Sequence, residues 1–77
     1  MIIDDLKDIF LKISPTINVF KFDENSRIVE DLRLDSLSQL MVVMEIEKKY
    51  NIKFEKVITF ERVKDVIEYL KEQGAKD

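Results

Sequence analysis

Residues 30–51 read EDLRLDSLSQLMVVMEIEKKYN and carry the longest helical pattern in the chain. Asp35 is a good N-cap, because its carboxylate can accept hydrogen bonds from the unpaired amides of a first helical turn. Asn51 suits the left-handed backbone that commonly follows a helix. These two residues predict a helix that begins at Asp35 and ends near Tyr50.

Two apolar stripes follow this predicted helix, because residues three or four apart lie on the same side. The first stripe is Leu37, Met41 and Met44; the second is Leu40, Val43 and Tyr50, with Ile46 or Glu47 between them. One stripe must face the core. The other is either exposed beside the start of the helix or buried as part of a wide apolar face.

Upstream, apolar residues at helical spacing predict a first helix from about Ile3 to Ile13. It should stop at Ser14, because the residue before Pro15 avoids the α region. A long connection follows, from about Pro15 to Asp35, with a short helical turn near Ile28–Leu32. We expect its apolar residues to hold it against the helices. They are Ile17, Val19, Phe20, Phe22, Ile28, Val29, Leu32 and Leu34.

Downstream, one helical turn is expected around Glu55–Ile58, because a lone strand there would have no partner. The last helix should run from about Glu61 or Arg62 to Gln73, with Gly74 at the position after its end. The whole chain, residues 1–77, is therefore predicted to be a single all-α domain. It is a small four-helix bundle of three main helices and a short third helix, with a long loop between helices 1 and 2.

The composition excludes several classes of site. The chain of 77 residues has no Cys and no His, which removes disulfides, thiolate zinc sites and His-based catalytic triads. The absence of both residues also means that we expect no metal site. The net charge is −3 and the chain has no basic stripe, so we expect no nucleic acid partner. No apolar run has the length of a membrane span, and we expect a cytoplasmic monomer that does not insert into a membrane.

The motif Asp35-Ser36-Leu37, with Asp31-Leu32 shortly before it, resembles the core motif of the acyl carrier protein family, which includes peptidyl and D-alanyl carriers. The resemblance continues through Glu47 and Tyr50, the stretch 59–63 and Tyr69-Leu70, and so covers nearly the whole chain. Three residues alone occur often by chance. The same motif at the start of the second helix, in a chain of this length, is much more specific.

The resemblance implies that Ser36 carries a 4'-phosphopantetheine arm, moved from coenzyme A by a phosphopantetheinyl transferase. The thiol of the arm would hold an acyl group as a thioester. Asp35 would help to present the serine, with Leu37 beside it. A phosphodiester at this position would lie beside the positive end of a helix dipole and its free amides. The simpler interpretation is that Asp35-Ser36 only starts a helix.

The second helix is the family's main partner surface, which would here comprise Leu37, Met41, Met44, Glu45 and Lys48. Fatty acid carriers usually show several acids along this helix, which meet basic patches on their enzymes. Here Ser38 and Met41 stand where acids are frequent, and Lys48 and Lys49 balance the acids. Arg33 also stands where carriers often have Gly. An exposed Met stripe would favour apolar contact over charge steering.

We therefore predict a carrier that is not an enzyme and that serves fatty acid or specialised lipid or polyketide synthesis. Its partners would be the transferase and enzymes that transfer or modify acyl groups. Two alternatives stay open: an aminoacyl carrier of the peptidyl or D-alanyl kind, and an unmodified helical domain that binds a protein partner.

Overall fold

The computed structural model describes residues 1–54 and 60–76. Its elements are α1 (Ile2–Ile13), a 3-10 turn (Val19–Lys21), α2 (Ser36–Tyr50) and α3 (Val63–Glu72). The β structure of this part of the chain is one isolated antiparallel bridge between Arg27 and Arg62. The all-α prediction, with a long loop between the first two helices, is confirmed. The short third helix predicted around Glu55–Ile58 lies outside the described residues.

The helices end where local chemistry predicts that they should. Ser14 is the C-cap of α1, and its amide donates to the Phe10 carbonyl just before Pro15. Asn51 closes α2 in the left-handed conformation, with φ of 54°. Gly74 follows α3 with φ of 98°, a value that glycine adopts without a steric penalty. Tertiary contacts therefore did not have to override the local signals at these ends.

The core is built from all three helices and the long loop. Among the described residues, fifteen apolar side chains are buried: Ile2, Leu6, Ile9 and Phe10 of α1; Ile17, Phe22, Ile28, Leu32 and Leu34 of the loop; Val42 and Ile46 of α2; Val63, Val66, Ile67 and Leu70 of α3. The rings of Phe10 and Phe22 meet edge to face, with centroids 5.3 Å apart. The loop is thus part of the core, as its apolar residues predicted.

Two of those loop residues were assigned wrongly. Phe20 is 96% exposed and Val29 is also exposed, while Val19 is half-buried. The side chain of Asn18 accepts a hydrogen bond from the Phe20 amide and starts the 3-10 turn there. Since a chain segment that crosses the core surface can turn only one side inward, part of its apolar side chains must face solvent.

The loop is also hydrogen bonded to the start of α3. The amide of Ile28 donates to the Glu61 carbonyl (2.9 Å), and the amide of Val63 donates to the Ser26 carbonyl (3.0 Å). The amide of Lys64 donates to the Glu24 carbonyl (2.8 Å). Loop carbonyls therefore satisfy first-turn amides of α3 that a helix cannot pair by itself.

An aromatic cluster forms around Tyr69 of α3. Phe54 stacks on Tyr69, with centroids 4.7 Å apart, and Phe60 meets the edges or faces of both rings at about 6 Å. All three rings are half-buried. Phe54 and Phe60, which lie before and after residues 55–59, therefore both pack against Tyr69 of α3.

We predict that Leu6→Ala lowers the free energy of unfolding by about 2–5 kcal/mol, because the fully buried side chain leaves a cavity in the core. Urea denaturation followed by circular dichroism measures the change. The matched control is Leu37→Ala, which removes the same atoms from an exposed position and should change stability by about 0.5 kcal/mol or less. Equal losses in the two variants would contradict this core.

A second prediction concerns Arg33, which lies between two buried leucines and has φ of 59°, in the left-handed region. Holding a non-glycine residue there costs about 1–2 kcal/mol, more than the roughly 0.4–1 kcal/mol that the flexibility of glycine adds to the unfolded state. Arg33→Gly should therefore raise the free energy of unfolding by about 0.5–1 kcal/mol. Arg33→Val should lower it, because β-branched residues tolerate this region worst. A destabilised glycine variant in the same urea titration would refute this account of the turn.

Candidate functional site

Ser36 is the first residue of α2, and its position is fixed by the residue before it. Asp35 has extended backbone, and its Oδ1 accepts a hydrogen bond of 2.8 Å from the Ser38 amide. The Asp35 carbonyl accepts the Gln39 amide at 3.0 Å, as the first bond of the helical ladder. Because this cap sets where the helix begins, it leaves Ser36 exposed at the very end of α2.

The same cap favours the ionised form of Asp35. The pKa of its carboxyl is lowered from the ordinary value, first by the hydrogen bond from the Ser38 amide and then by one from the Ser38 side chain. A carboxylate at a helix N-terminus is also favoured by the helix dipole. Asp35 is exposed, so its charge stays accessible to solvent.

Two amides at this helix end have no acceptor in the part of the chain that the structure describes. Asp35 takes the amide of Ser38, whereas the amides of Ser36 and Leu37 make no hydrogen bond within residues 1–54 and 60–76. Such amides at a helix N-terminus bind anions readily. The end of α2 can therefore accept a phosphate group attached at Ser36.

The segment before Ser36 is held by both core packing and hydrogen bonds. Leu32 and Leu34 are buried, and the Leu34 amide donates to the Ile28 carbonyl at 3.1 Å. Asp31 accepts the Arg27 amide at 2.8 Å, and Arg27 forms an ion pair with Glu30. The Asp31-Leu32 pair of the sequence motif thus has a structural role, because it closes the turn that leads into α2.

Neither of the two predicted apolar stripes forms the core face of α2 as a whole. The core face consists of Val42 and Ile46, while four apolar side chains lie on the opposite face. These four, called the exposed stripe below, are Leu37 (66% exposed), Leu40 (47%), Met41 (42%) and Met44 (51%).

The structure decides between the two alternatives that the sequence left open: the Leu37, Met41 and Met44 stripe is exposed. Leu40 was wrongly assigned to the neighbouring stripe with Val43 and Tyr50. Val43 and Tyr50 are half-buried, whereas Leu40 is exposed. At about 100° per residue, Leu40 falls beside Met44 and Leu37. The i, i+3 spacing from Leu37 could have placed it there from the sequence.

The charged residues of α2 mostly have partners inside the chain. Glu45, predicted as part of a partner surface, pairs with Lys12 of α1 at 3.1 Å. The carboxylate of Glu47 accepts the Phe54 amide at 2.9 Å, and Lys49 lies 3.7 Å from Asp5. Lys48 has no ion pair among the described residues. The structure thus brings Lys48 and the exposed stripe together and turns Glu45 toward α1.

Residues 1–54 and 60–76 contain neither a metal-ligating cluster nor a helix that could span a membrane. No group of three or more acidic residues in these ranges could hold a metal ion. None of the helices there is both long and apolar enough to cross a membrane.

The cap makes a testable prediction about acid. Because the pKa of Asp35 is lower in the folded chain than in the unfolded one, its contribution to stability is complete above the unfolded pKa. The contribution is lost as the pH falls through the folded pKa. The stability gap between the natural chain and Asp35→Ala should therefore shrink from neutral pH into the acidic range.

Urea titrations across this pH range measure that gap. The control is Asp35→Asn, which keeps a capping oxygen without a titrating group. The difference in free energy of unfolding between Asp35→Asn and Asp35→Ala should not depend on pH. A gap for the natural chain that stays constant or widens on acidification is incompatible with an ionised cap.

Known proteins resemble this chain along nearly its whole length, although no protein-family model matches it. It is 33% identical to an acyl carrier protein of Rickettsia bellii, over 91% of this chain and 87% of that one. It is 36% identical to an acyl carrier protein of Wolinella succinogenes (90% and 92%) and 32% identical to one of Brachyspira hyodysenteriae (92% and 94%). Identities of this size over nearly the full length of each relative show that the chain belongs to the acyl carrier protein family.

Proposed function

We propose that this chain carries acyl groups as thioesters on a 4'-phosphopantetheine arm attached to the hydroxyl of Ser36. The observation that carries the proposal is the position of Ser36. It is the exposed first residue of a helix whose start is fixed by the Asp35 cap. The membership in a family of carriers supports a role without catalysis of its own.

The residues at this helix end fit the proposed group. A phosphodiester is an anion, and the unpaired amides of Ser36 and Leu37 are donors at the positive end of the α2 dipole. The chain has no Cys, so it has no thiol of its own to compete with that of the arm. When attached, the arm supplies a thiol that binds an acyl group as a thioester.

The neighbours of Ser36 have separate roles in this proposal. Asp35 fixes the start of the helix and keeps a carboxylate one residue from the serine, where the transferase and its metal ion would meet it. Leu37 is exposed on the other side of Ser36 and offers the transferase an apolar contact. Asp35 therefore serves folding and modification through one side chain.

An acyl cargo is favoured over an aminoacyl cargo, because the relatives are named acyl carrier proteins. We propose a role in fatty acid synthesis or in a specialised lipid or polyketide pathway of the cytoplasm. The partners would be the phosphopantetheinyl transferase and enzymes that transfer or modify the acyl group. Leu37, Met41, Met44 and Lys48 would lie in their interface, with Glu45 at its edge in an ion pair with Lys12.

We predict that the chain gains one phosphopantetheine group when it is mixed with coenzyme A and a phosphopantetheinyl transferase of broad specificity. Intact-mass spectrometry measures the gain. Ser36→Ala should gain nothing, because it lacks the attacking hydroxyl. Ser38→Ala is the matched control, since it removes a hydroxyl from the same helical turn and should still be modified.

Two results would count against the proposal. An unmodified natural chain would favour the alternative of a helical interaction domain. A gain on Ser36→Ala equal to that of the natural chain would place the arm elsewhere. Circular dichroism of each variant establishes that the helices are intact before the masses are compared.

A further inference from the structure

Arg62 lies directly before α3, where the long loop is bonded to that helix. Its guanidinium Nη1 donates a hydrogen bond of 2.8 Å to the Asn25 carbonyl, and its backbone amide donates to the Asp65 carboxylate at 3.0 Å. Arg62 is half-buried and lies opposite Arg27 in the isolated antiparallel bridge. One residue therefore meets the loop through its side chain and through its backbone.

The guanidinium of Arg62 differs from the other contacts between residues 24–28 and α3 because it belongs to a side chain. The remaining contacts are the backbone hydrogen bonds from Ile28, Val63 and Lys64 described above. A hydrogen bond from a charged donor is stronger than one between neutral groups. A substitution can remove this bond and leave the backbone bonds in place, so its contribution can be measured by itself.

Ile28 extends these contacts from α3 toward Ser36. Its amide donates to the Glu61 carbonyl at 2.9 Å, and its carbonyl accepts the Leu34 amide at 3.1 Å. Leu34 directly precedes Asp35, whose carboxylate caps α2. Two backbone hydrogen bonds and one cap thus connect the start of α3 with the start of α2.

The turn after Ile28 is attached to the same segment. The Arg27 carbonyl accepts the amides of Asp31 (2.9 Å) and Leu32 (3.1 Å), while the Arg27 amide donates to the Asp31 carboxylate at 2.8 Å. Because Arg27 lies opposite Arg62, this turn rests on the residue that the guanidinium holds in place. A displacement of residues 24–28 would therefore move both the turn and the segment that leads into α2.

We propose that Arg62 is a positioning residue for the modification of Ser36. Its guanidinium holds residues 24–28 against α3 and so fixes the path of the chain into α2. That path sets where the Ser36 hydroxyl lies relative to the transferase. Arg62 touches none of the reacting atoms and acts through the loop.

The inference rests on the proposed function, because it concerns the transfer of the arm. In that transfer the Ser36 oxygen attacks the phosphorus of coenzyme A that bears pantetheine. A new P–O bond forms, the P–O bond of the pyrophosphate breaks, adenosine bisphosphate leaves, and the hydroxyl proton is lost to solvent. A small misplacement of the attacking oxygen slows such a step even when the two proteins bind equally well.

The test compares Arg62→Ala, Arg62→Lys and Lys64→Ala. Lysine keeps a cation that can donate one hydrogen bond to the Asn25 carbonyl, which is what the guanidinium does here. Lys64→Ala is the matched control, since it removes an exposed cation from the first turn of α3 and keeps the backbone bond to Glu24. Amide proton–nitrogen correlation spectra are recorded on the unmodified chains, and transferase kinetics are measured at varied chain concentration.

We expect Arg62→Ala to shift the amide resonances of Ser36 and Leu37 more than Lys64→Ala does. It should lower the kcat of the transferase by about threefold to tenfold, with little change in KM for the chain. A variant that only lost stability would instead raise the apparent KM and keep kcat, because only its folded fraction is a substrate. Arg62→Lys should lie between Arg62→Ala and the natural chain in both measurements.

Three results would overturn the role of Arg62. They are unshifted Ser36 and Leu37 amides in Arg62→Ala, equal effects of Arg62→Ala and Lys64→Ala, and a higher KM at unchanged kcat. The spectra need no transferase, so they are informative whether or not Ser36 accepts the arm. A natural chain that gains no phosphopantetheine, while its Ser36 amide responds to Arg62→Ala, would retain the link from α3 and lose the carrier function.

Discussion

The long loop between α1 and α2 has to complete the core, because α2 contributes only Val42 and Ile46 to it as buried residues. Three short helices cannot exclude water from one another with so few apolar side chains on the middle one. Five buried loop residues supply the further apolar side chains that the core needs. Burial of these side chains outweighs the conformational entropy that the loop loses when it lies against the helices. The loop is therefore ordered by the core that it completes.

That constraint determines where the N-terminal end of α2 lies. Leu32 and Leu34 are buried on either side of Arg33, which accepts a left-handed backbone so that both leucines can face inward. Asp35 follows directly and caps α2 on the Ser38 amide. Ser36 is exposed as a consequence, since the chain has just left the core and the helix has just begun. The position of the serine thus depends on packing several residues upstream.

The narrow core face of α2 also explains its outer surface. With Val42 and Ile46 turned inward, the apolar residues on the far side of the helix have no partner among the described residues. Contacts to α1 meanwhile occupy Glu45 and Lys49, and the segment after α2 occupies Glu47. Individual ion pairs of this exposed kind add little stability. Their effect is to decide which charges of α2 point toward solvent and which are held by other parts of the chain.

Sequence by itself determined where α1, α2 and α3 lie and that Ser36 stands at the start of α2. Asp35, Asn51, Ser14-Pro15 and Gly74 define helix ends through hydrogen bonds and backbone preferences that act within a few residues, so they are readable without the fold. Tertiary structure alone decided the exposure of Met41 and Phe20, and the pairing of Glu45 with Lys12 across 33 positions of the chain. The physical reason is that exposure and ion pairing depend on which face each element turns to its neighbours, and neighbouring helices are brought together only by the shared core.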